Sequence, residues 1–238
     1  MVILRQKTFL TIKMTKLNDS RLVEKTARWS LYVQFILGLF SFLGFFGIND
    51  EDEVLVALLV SDIVVQLIEF TFYLIFIRLN TKLTIYRYID WYVSTPIMLL
   101  STAILLEYFA TQNTQNVVTL PSFFSDYTNE TIYIVSMNAI MLSCGLIAEL
   151  VSDTRLLANV LVAIGTLAFV ANFAVIYIEF GVKTTEGLIL LSVMCFLWFL
   201  YGIAALLSFV PKNVMYNVLD ILAKNFYGTF IAIYLLVK

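Results

Sequence analysis

A chain of 238 residues, 61% of them hydrophobic and 13% charged, with a mean hydropathy of +0.91, lies outside the range of soluble globular domains and reads as an integral membrane protein. The formal net charge of −2, with scattered basic residues, gives no reason to expect nucleic acid as a partner. There is no histidine, and Cys144 and Cys195 each sit inside an apolar run, so the cysteines read as small buried hydrophobes and no metal site is expected.

Residues 1–28 are mixed, with Arg5, Lys7, Lys13, Lys16, Arg21, Lys25 and Arg28 set against Asp19 and Glu24. The apolar pieces Met1–Leu4 and Phe9–Ile12 are too short for the core of a cleaved signal peptide. This stretch is read as a solvated or interfacial arm ahead of one membrane domain, 29–238. Apolar segments follow at about 29–47, 54–77, 86–109, 131–151, 154–180, 185–209 and 213–237, each near the roughly 20 residues that cross a hydrocarbon core. Their uniform apolarity excludes a membrane barrel, whose strands alternate. The sequence predicts an all-α membrane protein, a seven-transmembrane-helix bundle with antiparallel neighbours. The connection Ala110–Glu130, polar and with one proline, reads as an ordinary loop.

The second segment carries a polar stripe: Asp62, Gln66, Glu69 and Tyr73 fall at i, i+4, i+7 and i+11, one helical face. Facing lipid would be costly, so the stripe faces the bundle interior. It serves either helix–helix hydrogen bonding or the lining of an ion path. The third segment holds Arg87-Tyr88-Ile89-Asp90-Trp91-Tyr92-Val93-Ser94-Thr95-Pro96, in which Asp90, Ser94 and Ser101 share a face and Arg87 lies one turn before Asp90. A carboxylate buried there needs further positive charge to balance it. The last segment supplies a candidate: Lys224 sits about halfway along it, with Asp220 one turn earlier on the same face. Two readings of Lys224 stand side by side. One is a structural intramembrane ion pair with Asp220; the other is an amine that condenses with an aldehyde to a Schiff base, its charge balanced by the aspartates.

Arg87-Tyr-Ile-Asp90-Trp91 followed by Ser94-Thr95-Pro96, Trp198-Phe-Leu-Tyr201 and Asp220-Ile-Leu-Ala-Lys224 together resemble the third, sixth and seventh helices of the microbial (type 1) rhodopsins. Phe70-Thr-Phe-Tyr73 and Ile140-Met141-Leu-Ser-Cys144-Gly145 are similar to their second and fourth helices. The resemblance covers nearly all of the chain from about residue 29. Within the family, Gln66-Leu-Ile-Glu69-Phe and Ala223-Lys224-Asn225-Phe226-Tyr227-Gly228 most resemble the rhodopsins of giant algal viruses, a group that includes light-gated channels.

The resemblance implies all-trans retinal bound at the bundle centre on Lys224 as a protonated Schiff base, with Asp90 and Asp220 as counterions and Arg87 as their organiser. Trp91 and Trp198 would sandwich the polyene, and Tyr201, Tyr73, Thr95, Met98, Met141, Cys144 and Gly145 would line the pocket. It implies no catalytic residues and no enzyme activity. The departures concern function. The position eleven residues after Asp90, a carboxylic acid in the best-known proton pumps, is Ser101, which cannot serve as that acid near neutral pH. Lys212 stands where such pumps place proton-releasing glutamates. Gly202 replaces a family proline, and Val162 aligns with a family tryptophan.

The expected function is therefore a retinal photoreceptor that moves ions in light. A light-gated cation channel comes first, its path drawn through Asp62, Gln66, Glu69, Ser94, Ser101, Lys212 and Asn217. An outward proton pump is the alternative, and a photosensor signalling through a partner is the remaining one. Expected partners are membrane lipid, monovalent cations or protons, and further copies of the chain in a homo-oligomer; the expected location is a host cell membrane. Orientation is open between two arguments. The loop Lys/Arg balance puts the N-terminus in the cytoplasm, whereas the family places it outside.

Overall fold

The computed structural model describes residues 2–48, 53–78 and 83–238. Helix α1 (Val2–Phe42) runs into a 3-10 turn, Leu43–Gly47, and is followed by α2 (Glu53–Phe76) and α3 (Leu83–Thr111). A short α4 (Leu120–Asp126) leads to α5 (Thr128–Leu150) and α6 (Arg155–Glu179). After a 3-10 turn at Gly181–Lys183 come α7 (Thr185–Ala205), α8 (Phe209–Asp220), a π-helical turn (Ile221–Asn225) and α9 (Phe226–Val237). Among the described residues seven helical stretches are long and apolar enough to cross a membrane: 21–47, 53–76, 84–111, 128–150, 155–183, 185–205 and 209–237. The last joins α8, the π turn and α9 into a single span.

Neighbours in sequence are neighbours in space, and α1 closes the ring by packing on both α8 and α9. Tight closure depends on small residues: a Cβ on Gly44 would come within 2.9 Å of the Ala232 Cα, and one on Gly47 would run into the Leu235 carbonyl. Helix α3 is the innermost. The most apolar window of its span is 72% buried against 22% for those of α5 and α7, so α3 and the last span (61%) form the axis around which the others pack.

Two connections differ from the sequence reading. The Ala110–Glu130 segment is not a plain loop, because Thr119 and Ser122 cap α4 reciprocally: the Ser122 N–H donates to Thr119 Oγ1 at 3.2 Å and the Thr119 N–H donates to Ser122 Oγ at 3.0 Å. Pro121 fits the first turn, where its missing N–H costs nothing. Phe123 then seats the helix against Phe180, ring centroids 5.6 Å apart. The last span also begins four residues before the expected 213, at Phe209, because Pro211 is again tolerated in a first turn.

Candidate functional site

Four charged side chains meet where α3 crosses the last span, and all are buried: Arg87, Asp90, Asp220 and Lys224. They form two ion pairs. Lys224 Nζ donates to Asp90 Oδ2 at 2.7 Å, and Arg87 Nη1 donates to Asp220 Oδ2 at 2.9 Å. The partners cross over relative to the sequence expectation. Asp220 and Lys224, though one turn apart, each turn to α3 instead of to one another, so the structural Asp220–Lys224 pair is not made. Arg87 likewise serves Asp220, not the Asp90 on its own helix. The π turn spans Lys224 and widens the helix there; such turns recur at functional sites.

Each pair has its own setting. Asp220 accepts from the Tyr73 hydroxyl at 2.7 Å and the Tyr201 hydroxyl at 2.8 Å as well as from Arg87. Arg87 also donates to the Tyr73 hydroxyl at 3.1 Å, to Asn213 Oδ1 at 3.3 Å and to Asn217 Oδ1. Its guanidinium lies 5.0 Å from the Phe76 ring centroid and 5.3 Å from that of Tyr73. Such full satisfaction is what a buried ion pair requires. The Asp90 carboxylate is sparser: Oδ2 holds Lys224, and Oδ1 has no protein partner. Ser94 donates to the Asp90 carbonyl at 3.0 Å.

Lys224 forms the polar end of a cavity of about 320 Å³. The walls include Trp91, Thr95 and Met98 from α3, Met141 and Gly145 from α5, and Trp198 and Tyr201 from α7. All seven are pocket residues expected from sequence. Trp91 is held edge-on by Tyr88, Tyr201 and Tyr216, with centroids 5.0, 5.6 and 4.9 Å away. Thr95 is fixed by donating to the Trp91 carbonyl at 2.7 Å and accepting from Asn138 Nδ2 at 2.8 Å. Two expected residues lie elsewhere. Tyr73 belongs to the Asp220 pair, and Cys144 stands behind Gly165, where a Cβ would meet the Cys144 Cβ at 3.3 Å. The lining also contains residues the sequence reading did not place there, Tyr88, Leu142, Gly165, Phe169 and Tyr216, and Val162, aligned above with a family tryptophan, lines it too. Chemically, an apolar chamber with one primary amine at its end suits an elongated apolar carbonyl compound.

The expected ion-path residues separate into groups. Gln66 donates to Asp62 Oδ2 and, at 3.0 Å, to Ser41 Oγ; Asp62 Oδ1 has no protein partner. Glu69 is fully buried, accepts from Gln34 Nε2 at 2.9 Å through Oε1, and has no protein partner at Oε2. Gln34 Nε2 also donates to Ser30 Oγ, and Ser30 Oγ donates to the Asn217 carbonyl, both at 2.9 Å. Asn217 in turn meets Arg87 and Tyr73. A buried polar column thus runs between α1, α2 and the last span to the Arg87–Asp220 pair. The α1 members were missed, yet Ser30, Gln34 and Ser41 at i, i+4 and i+11 form a face as regular as that of α2. Ser101 is buried on α3. Lys212 lies apart from the column, donating to Glu149 Oε2 at 2.7 Å.

The family model described as "bacteriorhodopsin-like protein" matches residues 23–238. Among solved structures, the fold is similar to that of the viral rhodopsin OLPVRII, with a TM-score of 0.74 and 24% identity over 90% of this chain and 97% of that one. It is also similar to the bromide-bound halorhodopsin of Halobacterium salinarum (TM-score 0.74, 16% identity, 93% and 96% covered). A light-driven proton pump of Leptosphaeria maculans gives a TM-score of 0.70 at 16% identity, with 90% and 95% covered. No curated protein matches the sequence. With the family match spanning nearly the whole of a seven-span, all-helical bundle, the chain belongs to the bacteriorhodopsin-like family, the microbial rhodopsins, multi-pass membrane proteins whose chromophore is retinal.

Proposed function

We propose that this rhodopsin is a light-gated cation channel with all-trans retinal bound at Lys224. Bound there, retinal supplies a carbonyl carbon for the lysine amine and a conjugated chain that changes shape in light. The residues of the chain do the rest. Lys224 fixes one end of the ligand, Trp91 and Trp198 flank it, and Thr95, Met98, Met141 and Gly145 limit how it lies. Asp90, 2.7 Å from Lys224 Nζ, neutralises the charge on that nitrogen and is placed to take its proton. Asp220 is held by hydrogen bonds from Arg87 and two tyrosine hydroxyls, giving the site a second carboxylate fixed in position.

The observation that carries the channel reading is the buried polar column. Asp62 and Glu69 each keep a buried carboxylate oxygen without a protein partner, a costly arrangement for a purely structural seam and a useful one for passing cations. The column joins the site through Tyr73 and Asn217, so a shift at Asp220 is felt along it. Ser101, in place of a reprotonating acid, fits a protein that does not depend on rapid proton uptake. One observation favours the second reading, an outward proton pump: the direct Lys224–Asp90 contact supplies the first proton acceptor such a pump needs.

Whole-cell voltage clamp under a light flash, in cells supplied with all-trans retinal, separates the two. A photocurrent that reverses near a cation's equilibrium potential identifies a channel; one that keeps its sign at all potentials identifies a pump. In the channel, Glu69→Gln reduces the photocurrent several-fold while the absorption band stays in place. An unaltered current in that variant would return the α2 stripe to a purely structural role.

A further inference from the structure

The chamber that ends at Lys224 has one wall unlike the others. On the α3 side, Trp91 and Met98 are buried. On the α6–α7 side, Thr166, Phe199, Gly202 and Ile203 line the chamber and are also exposed on the outer surface of the bundle, Phe199 at 49% and Ile203 at 39%. A residue can belong to both surfaces only where the wall is one side chain thick or open. Gly202 makes it so: it lines the chamber from α7, and a Cβ there would meet no atom within 4 Å. A second crevice of about 580 Å³ continues along the same seam, sharing Phe169 and Phe199 with the chamber.

This outer surface faces lipid, since α6 and α7 both belong to membrane-spanning stretches. The other ways into the chamber are less suited to an apolar molecule. Towards one end of the bundle stand the Arg87–Asp220 network and the Trp91, Tyr201 and Tyr216 rings, the last two stacked 5.7 Å apart. Towards the other, Trp198 and Phe173 close up in an edge contact at 5.7 Å. Passage along the axis would force an apolar chain past buried charge or through close-packed rings. Passage sideways crosses a wall without charge, Thr166, Phe199, Gly202 and Ile203, and it starts in the medium where an apolar molecule is concentrated.

We infer that the α6–α7 seam is a lateral port through which retinal passes between the bilayer and the Lys224 chamber. The inference rests on the reading of Lys224 as the retinal site. The port makes uptake a reaction of the membrane phase, with Phe199 as its movable side and Gly202 as the residue that keeps it open.

The test uses the full-length protein prepared without retinal in lipid vesicles, with retinal added and the growth of the visible band timed. Phe199→Ala, which removes bulk from an exposed position, speeds band formation several-fold. Gly202→Leu, which adds bulk to the opening, slows it about tenfold, as a barrier raised by roughly 1.4 kcal/mol would. At fixed protein and retinal, doubling the lipid lowers the rate about twofold, because retinal is diluted in the phase from which it enters. The port is refuted if both variants form the band at the wild-type rate, or if the rate ignores the amount of lipid. Should Gly202→Leu fail to reach the membrane, Phe199→Ala decides alone, since a merely structural loss would slow uptake and not speed it. If the wild type forms no band at all, the Lys224 reading fails and takes the port with it; a wild-type band with unaltered variants removes the port alone.

Discussion

Lys224 and Arg87 divide two buried aspartates between them, and the division differs in quality. Asp220 accepts from three donors, the Tyr73 and Tyr201 hydroxyls and Arg87 Nη1; the sparsely bonded Asp90 has one oxygen committed to Lys224 and one free of protein partners. The pair that is bonded least is the one best able to change its protonation. Lys224→Ala is therefore expected to abolish visible absorption after retinal is added, and a retained band would remove Lys224 as the attachment point. The same substitution leaves Asp90 without its cation, which for a buried pair costs about 3–5 kcal/mol. Asp90→Asn is expected to shift the band to longer wavelength, read by absorption spectroscopy. Positive charge is concentrated at the nitrogen in the dark and spreads along the ligand on excitation, so losing the nearby carboxylate destabilises the ground state more than the excited state. An unshifted band would leave Asp220 as the sole counterion.

At the scale of elements, the last span does most to build the site, and it does so by being irregular. The π turn at Ile221–Asn225 interrupts the helix where Lys224 must reach α3, and Gly228 just beyond it lets α2 press close. A Cβ on Gly228 would overlap Asp62 Oδ2 and Gln66 Nε2. Gly228→Ala is expected to push Asp62 and Gln66 off their present bond and to lower stability by about 1–3 kcal/mol, as overpacking does, seen as earlier thermal loss of the visible band. These features also mark where the sequence was legible. The spans were, because about 20 apolar residues have few other uses, and so were Asp90, Asp220 and Lys224, because charge in such a run is anomalous. Which aspartate each cation chooses was not, since that depends on how two helices are rotated against each other. The π turn left no pattern in Ile221-Leu-Ala-Lys224-Asn225. Helix α4 did leave one, the Thr119 to Ser122 spacing with Pro121, but it is hidden in a polar stretch that reads equally as loop.

At the scale of the whole molecule, the ring of spans encloses two different seams. Between α1, α2 and the last span the contact is polar, with Ser30, Gln34, Glu69 and Asn217 buried; between α6 and α7 it is apolar and thin. The chamber lies between them, so ligand access is on one flank and the proposed ion path on the other. Separate flanks allow each to change without closing the other.

The two ion pairs have a further consequence once the bilayer is charged. A unit charge that crosses the whole membrane gains about 2.3 kcal/mol per 100 mV, but each buried cation here sits against its own anion, so the field finds almost no net charge to pull. Moving a proton the 2.7 Å from Lys224 Nζ to Asp90 Oδ2 covers at most about a tenth of a hydrocarbon core roughly 30 Å thick. The work done by 100 mV on that step is then roughly 0.2 kcal/mol. Followed optically while the potential is stepped over 100 mV, the transfer is expected to change in rate by less than about 1.5-fold; a steeper dependence would mean that the proton ends its first move much farther away than Asp90. The dark pigment is in this sense electrically deaf, and any voltage dependence of the light response must arise later, in the column that holds Glu69 and Asp62.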